Sequence, residues 1–281
     1  MWSLYMDNSG VIELTAEQYH SYVQARNEKD YLLIDVRQPR EYENSHIPGS
    51  TLIPLSEFES RLFEMPDDKE LVFYCKVGSR SQMAAMLAAE AEVTEKPIYH
   101  LSGGILAWSG QTLADFPKVK VFESAGSFKN LLFTAMDMER GAERFYQHCR
   151  ERYADEPFAN TFDQLARVET AHARIIYDVY KQTGETDSEP FDSLYENLAG
   201  DILEGGESLE QMIARLESIE NGICISLMEL ALNIEYAAYD LYRSAATGGG
   251  EGAEAADLFL DIAQAEKNHM RMIAKALADC G

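Results

Sequence analysis

Basic residues are scarce in this 281-residue chain: 24 Lys and Arg stand against 48 Asp and Glu, a formal net charge of −24. A surface of that sign repels phosphate backbones and anionic bilayers, so no nucleic acid and no membrane is expected as a partner. Cysteine is scarce too. The four present, Cys75, Cys149, Cys224 and Cys280, lie far apart and form no C-x-x-C. That excludes a zinc ribbon or a four-cysteine iron site and gives no disulfide framework, so a reducing cytoplasm is the expected location. No apolar run approaches the ~18 residues read as a transmembrane helix. The opening residues, "MWSLYMDNSGVIELTAEQYH", lack the basic and apolar segments of a secretory leader. Low-complexity tracts rich in Pro or Gly are missing as well. What remains is a globular composition, 46% hydrophobic and 26% charged, on a chain long enough for two domains with a core each.

The two halves differ in hydrophobic period. "YLLIDV" (31–36), "TLIPL" (51–55), "ELVFYC" (70–75) and "PIYHL" (97–101) read as short buried strands. Helical patterns lie between them: "TAEQYHSYVQAR", opened by a Thr15/Gln18 capping box, "LSEFESRLFEM" from Ser56, and "SRSQMAAMLAAEA". This alternation predicts an α/β domain over residues 1–118, a parallel sheet with helices on both faces. Residues 119–127 read as the linker. From residue 128 the strand signal stops, and four amphipathic segments follow at roughly 128–152, 158–182, 222–246 and 254–278. "ADEP" separates the first pair and "ATGGGEG" the last. About 40 residues with a short helix at "SLEQMIARLES" join the pairs. Two short connections and one long one predict an all-α four-helix bundle with a single crossover over 128–281.

In the first half, one cysteine stands at the end of a strand. Cys75 is followed by Lys76, Val77, Gly78, Ser79 and Arg80, and then by a helix. A loop of this shape aims successive backbone N–H groups into one concavity, and the helix N-terminus adds positive potential. A thiol in that position has a lowered pKa and is present largely as thiolate. A packing cysteine needs no flexible cationic loop.

"LLIDVRQPREYENSHIPGSTLIPL", "VFYCKVGSRSQMAAMLA" and "LSGGILAW" together resemble a single-domain rhodanese from one end of the domain to the other. The matching residues are Asp35-Val36-Arg37, Glu41, His46-Ile47-Pro48-Gly49, the Cys75 loop, Gly103-Gly104 and Trp108. The resemblance implies sulfur transfer. The Cys75 thiolate takes sulfane sulfur from a small donor such as thiosulfate, becomes a persulfide, and passes the sulfur to a thiol or cyanide acceptor. The amides of Lys76, Val77, Gly78, Ser79 and Arg80 stabilise the persulfide anion, and Arg80 shapes the cradle. Six residues from Cys75 to Arg80 match the sulfurtransferases, whereas the related phosphatases have one more. Arg37 and Glu41, four apart, are expected to pair on a helical turn. His46 is expected to stabilise a turn.

In the second half, "VETAHAR" and "AEKNHMR" each give Glu-x-x-His, a carboxylate and an imidazole on one helical face. The spacing alone is weak, since Glu17/His20 and Glu43/His46 share it in the other half. Position within the apolar stripe decides. Phe162, Leu165, Glu169, His172, Ile176 and Tyr180 line one face. Leu258, Ile262, Glu266, His269 and Ile273 line another. Glu139 interrupts the stripe of the first long helix and Glu235 that of the third. Four carboxylates and two imidazoles buried without partners cost several kcal/mol each. Two divalent cations supply four positive charges against the four glutamates and leave the cluster neutral.

This arrangement resembles the ferritin-like di-iron proteins, and segment 128–278 resembles their rubrerythrin branch. Helices one and three also share Glu-x₆-Tyr, as Glu139/Tyr146 and Glu235/Tyr242. The resemblance implies a pair of iron ions held by Glu139, Glu169, His172, Glu235, Glu266 and His269; manganese suits the same ligands. It also implies pairing into homodimers. Two features depart from rubrerythrin. The position of an extra glutamate, three residues past Glu235, is Ala238, and the four-cysteine rubredoxin domain that feeds electrons is missing, leaving any external electron donor unnamed. Glu143, one turn after Glu139, is either a surface residue or a seventh carboxylate. Three functional readings follow: a sulfurtransferase coupled to a di-iron centre, a di-iron peroxide or O₂ reductase supplied by the thiol domain, and a non-catalytic iron and sulfur carrier.

Overall fold

The computed structural model describes residues 10–119, 122, 127–183, 189–247 and 253–280. The chain divides between Phe116 and Pro117 into two compact units. In the first, β1 (Val11–Leu14), β2 (Tyr31–Asp35), β3 (Thr51–Leu52), β4 (Glu70–Tyr74) and β5 (Ile98–Leu101) form a wholly parallel sheet in the order β1-β5-β4-β2-β3. The intervening helices are α1 (Ala16–Ala25), α2 (Pro39–Asn44), α3 (Leu55–Phe58, continued as a 3₁₀ turn to Glu64) and α4 (Ser79–Glu90), with α5 (Gly104–Ala107) after β5.

Burial on both faces explains why the strands read as unbroken apolar runs. Leu32, Ile34, Leu71 and Phe73 face Phe58 of α3 and the small Ala84, Ala85 and Ala88 of α4. Their neighbours Tyr31, Leu33, Val72 and Tyr74 face Tyr19 of α1, with Ile105 and Trp108 packed against the same layer. The Thr15 capping box forms as its spacing predicts, Gln18 N donating to Thr15 Oγ1 at 3.2 Å and Thr15 N to Gln18 Oε1 at 2.8 Å. Two expectations are corrected. β1 was not anticipated, because four residues interrupted by an exposed Glu13 give little signal. The strand expected at 51–55 is only two residues long, since Pro54 has no N–H to continue a ladder.

The second unit contains α6 (Phe128–Arg152), α7 (Ala159–Gln182), α8 (Phe191–Glu196), α9 (Leu209–Glu217), α10 (Ile223–Thr247) and α11 (Ala253–Ala278). α6 packs along α7 and α10 along α11. The long crossover between α7 and α10 carries α9, capped by Ser208 and Gln211, and also α8, which follows Pro190 and was not expected. The interior is split into two apolar clusters. One gathers Leu132, Ala135, Ile176, Leu258 and Ile262; the other gathers Ala142, Phe162, Leu165, Ala231 and Ile273. The glutamates and histidines of the four stripes lie between them. The GGGEG turn (248–252) falls outside the described residues, as does most of the expected linker. Within that linker Phe122 stacks on Phe259, ring centroids 5.7 Å apart, and belongs to the bundle core.

The reading that the cysteine spacing gives no disulfide framework meets one exception. Cys224, at the start of α10, and Cys280, just past α11, are joined as a disulfide across 56 residues of sequence. Spacing could not reveal it, because antiparallel packing of the two helices brings these ends together. No helix among the described residues is long and apolar enough to cross a membrane.

Gly141, in the middle of α6, marks the closest approach of the crossover. A Cβ there would stand 2.4 Å from the carbonyl oxygen of Ile202. In an open helix, Gly→Ala is stabilising by up to ~1 kcal/mol. Here Gly141→Ala should reverse the sign, costing about 1–3 kcal/mol by overpacking. A fall in the bundle's melting temperature by scanning calorimetry checks this.

Candidate active site and metal centre

Cys75 follows the central strand β4 at the carboxyl end of the sheet, where open α/β folds place their ligand sites. Its side chain is fully buried. Gly78 N donates to Sγ at 3.1 Å, and the Ser81 hydroxyl lies 3.6 Å from the same atom. Gly78 takes φ +105°, a conformation open to glycine, and this turns the loop back over the sulfur. Burial opposes the thiolate. Hydrogen bonds from the Ser81 hydroxyl and from the amides of Ser81, Gly78 and Val77 outweigh it, and the thiol pKa is lowered. At the other free cysteine, Cys149, burial outweighs the single hydrogen bond from its own backbone amide and pushes the thiol up.

The "LSGG" motif braces this loop from behind. Ile105 N donates to Cys75 O at 2.8 Å and Leu106 N to Lys76 O at 3.2 Å. Gly104 permits the approach, since a Cβ there would lie 2.3 Å from Cys75 O. The side chains of Lys76, Val77 and Ser79 are exposed. Arg80 forms a two-pronged pair with Glu41, at 2.7 and 2.8 Å, and this pairing holds the Glu41 carboxyl down at about 2. Arg80 therefore ties α4 to α2 and makes its closest polar contacts away from the sulfur. The expected Arg37–Glu41 pair does not form. Arg37 instead grips Asp35, with its Nη2 2.6 Å from Oδ2, and donates to Ser45 O at 2.7 Å. His46 is buried, stacked on Tyr42, with its backbone bridged to Leu113. Ser81, a full helical turn beyond the glycine, was not singled out from the sequence.

In the bundle, the six residues predicted from the stripes converge in one buried layer. One ligand atom each from Glu169, His172, Glu266 and His269 falls within 4.8 Å of the others, and the same holds for Glu139, Glu169 and Glu204. His269 Nδ1 lies 2.8 Å from Glu235 and 3.0 Å from Glu266. His172 Nδ1 lies 3.2 Å from Glu266 and 3.4 Å from both Glu139 and Glu169. The two imidazoles stack, centroids 4.8 Å apart. Tyr146 donates to Glu235 and Tyr242 to Glu139, so each tyrosine serves the glutamate of the opposite helix.

Without cations this layer is electrostatically frustrated. Burial and the neighbouring carboxylates push Glu139 up to about 7 and Glu204 and Glu235 upward as well. Burial works against charge on His269, but Glu266, Glu235 and Glu169 hold it up to about 12. Glu139 Oε2, His172 Nδ1 and Glu204 Oε2 are buried with no hydrogen-bond partner. Unsatisfied oxygen and nitrogen donors of this kind fit a hard or borderline metal ion. Glu204, on the crossover, was missed by the sequence reading. Glu143 is buried rather than at the surface, but Arg140, Gln147 and Thr170 occupy its carboxylate, which takes it out of the layer.

Two family profiles match the chain: a rhodanese-like domain over residues 18–111 and rubrerythrin over residues 130–221. The second match takes in Glu139, Glu169, His172 and Glu204 and ends before α10. A sulfurtransferase of Allochromatium vinosum is 33% identical over 81 residues, 29% of this chain and 74% of that protein. The uncharacterized protein YqhL of Bacillus subtilis is 43% identical over 82 residues, 29% of this chain. The probable adenylyltransferase/sulfurtransferase MoeZ of Mycobacterium tuberculosis is 45% identical over 85 residues, 30% of this chain. The chain spans 64% of the length of YqhL and 21% of MoeZ. A rhodanese-related protein from Thermoplasma volcanium superposes with a TM-score of 0.33 at 24% identity, over 37% of this chain and 98% of that one. The chain belongs to the rhodanese family through its first unit, and it carries a rubrerythrin domain in its second.

The lowered thiol pKa gives a test. Alkylation of Cys75 by iodoacetamide, followed by peptide mass spectrometry, should reach half its maximal rate at a lower pH than alkylation of the same peptide unfolded. Removing the hydroxyl donor with Ser81→Ala should move that midpoint upward, because one of the contacts stabilising the thiolate is lost.

Proposed function

We propose that this protein is a sulfurtransferase whose Cys75 carries sulfane sulfur, coupled to a non-haem di-iron centre in the same chain. The observation that carries the first part is the buried Sγ held by the Gly78 amide and the Ser81 hydroxyl. In the reaction, the Cys75 thiolate attacks the outer sulfur of a donor such as thiosulfate. A Cys–S bond to that sulfur forms, the donor's S–S bond breaks, and sulfite leaves with the bonding pair. The terminal persulfide sulfur is then the anion, and the loop amides that lower the thiol pKa stabilise it too. A thiolate or cyanide acceptor takes the outer sulfur and releases Cys75 as thiolate, which closes the cycle without net change in the protein. Arg80 acts as a positioning residue, fixing the start of α4 through Glu41.

For the second part, Glu139, Glu169, His172, Glu235, Glu266 and His269 would hold two iron ions; orphaned buried donors on Glu139 and His172 support this reading. When bound, such a pair supplies one-electron redox chemistry in a dry site. The residues' own tasks are distinct. Tyr146 and Tyr242 orient Glu235 and Glu139 by hydrogen bonds, as outer-shell groups do in metal sites. The apolar clusters on either side exclude water and so strengthen the electrostatics between them. The coupling of the two units rests on their occurrence in one chain. The rubrerythrin match favours a second reading, in which reduction of peroxide or O₂ in the bundle is the primary activity.

Mass spectrometry after incubation with thiosulfate should find an adduct of about 32 Da, one sulfur atom, on Cys75. Cys75→Ser should lose it; an adduct that persists in this variant makes another thiol the acceptor. Elemental analysis of protein produced with ferrous iron should find about two metal ions per chain, falling to one or fewer in Glu266→Ala. Should wild-type protein retain no metal, the di-iron reading fails.

A further inference from the structure

The crossover between α7 and α10 delivers a charged group to the bundle interior that no helical periodicity announces. Glu204 lies outside any helix, in a turn closed by Gly206 N to Leu203 O at 2.8 Å and Leu203 N to Glu207 O at 3.0 Å. An acidic residue in such a turn normally points into water, yet Glu204 is only 3% exposed. Two glycines let the turn in. Gly141 of α6 leaves room for the Ile202 carbonyl, and Gly205 packs on α10, where a Cβ would stand 3.1 Å from that of Ala237. The entering strand of the turn is tied to α6 as well: Asp137 accepts from Gly200 N at 3.0 Å, and Arg144 donates to Gly200 O at 3.1 Å. The segment is thus wedged between α6 and α10 with its carboxylate inside.

That carboxylate faces the layer already described. One oxygen of Glu204 falls within 4.8 Å of ligand atoms of Glu139 and Glu169. Its Oε2 is buried and has no hydrogen-bond partner, and the same is true of Oε2 of Glu139. Besides burial, the charges that bear on it most are other acids, Glu139, Glu169 and Glu266. On α10, the position one turn beyond Glu235 is Ala238, which offers no donor atom.

We propose that Glu204 is a seventh protein ligand of the bundle's metal centre, supplied by the crossover on the side of Glu139 and Glu169. The proposal rests on the reading of the layer as a two-metal site. It explains why a carboxylate is driven into a site full of carboxylates, since a cation between them turns repulsion into coordination. It also makes the two metal positions unlike. With Glu204 ionised, five carboxylates exceed the four charges of two divalent ions by one, and the surplus favours the more highly charged oxidation state of the ion it touches.

The test uses full-length protein stripped of metal by a chelator and titrated with Mn(II), free Mn(II) being counted by electron paramagnetic resonance. Wild-type protein should bind two ions. In Glu204→Gln the metal-free melting temperature should hold or rise, because an unpaired buried acid has gone, while one of the two ions should bind about tenfold more weakly or worse. Glu204→Asp, which keeps the charge but withdraws it by one methylene, should show the same loss of one ion and covers the case in which the glutamine variant misfolds. Glu207→Gln, exposed on the same turn, should leave both ions unchanged. Wild-type affinity for both ions in folded Glu204→Gln or Glu204→Asp overturns the role of Glu204 and leaves the six-residue centre standing. Wild-type protein that binds no Mn(II) overturns instead the metal reading beneath it.

Discussion

An anion held away from water must be met by hydrogen-bond donors or by opposite charge, and both units of this protein are built around that constraint. In the first unit the anion would form on one sulfur, that of Cys75, and the donors that lower the thiol's pKa are backbone amides and one hydroxyl gathered by the turn from β4 into α4. Fixed dipoles suffice there because one negative charge is spread over several of them. In the second unit, five glutamates lie in one dry layer with two imidazoles. No set of tyrosine hydroxyls balances that. Tyr146 and Tyr242 meet one oxygen each, and other carboxylate oxygens remain without a donor. The layer offers groups that could hold metal ions, and the apolar clusters on either side keep water away from them.

The glycines carry much of the positioning in both units, by letting backbone approach backbone. Gly104 lets α5 close on the carbonyl of Cys75, so the Cys75 loop is braced from that side by main-chain bonds. Gly141 does the same for the crossover against α6. Side chains hold the loop from the outside: Arg80 reaches across to Glu41, and Arg37 is locked to Asp35 under the ring of Tyr74. The rhodanese signature residues around Cys75 are therefore mostly a frame, with Gly78 and Ser81 making the contacts to sulfur itself.

Much of this was legible in the sequence, for definable reasons. Strand and helix alternation, the Cys75 loop and the six residues interrupting apolar stripes all leave a periodic trace, because regular secondary structure repeats its facing. What the sequence hid lacks a period. Glu204 sits in a turn whose path depends on glycines in other elements. The Cys224–Cys280 bridge depends on how two helix ends meet. Arg80–Glu41 joins residues 39 apart, so neither i,i+4 logic nor charge pattern selects it over Arg37–Glu41. The Glu-x₆-Tyr repeat was visible as a spacing, but its meaning was not. Each tyrosine passes over its own helix's glutamate and binds the one on the facing helix.

That exchange exposes an approximate symmetry in the bundle, and the symmetry has a limit. α6 and α10 each give a glutamate and a tyrosine, and α7 and α11 each give Glu-x-x-His, with the imidazoles stacked where the pairs meet. Two helix pairs related in this way would present two equivalent metal positions. The connection between the pairs occurs only once, however, and it enters on one side, between α6 and α10. A ligand carried on it reaches one position and has no counterpart at the other. Glu204 is such a residue, near Glu139 and Glu169, while Glu235 on the opposite side meets His269 instead. Unequal charge at two adjacent positions would separate the affinities of the ions held there. In this bundle the inequality comes from the topology of the chain rather than from any difference among the four long helices.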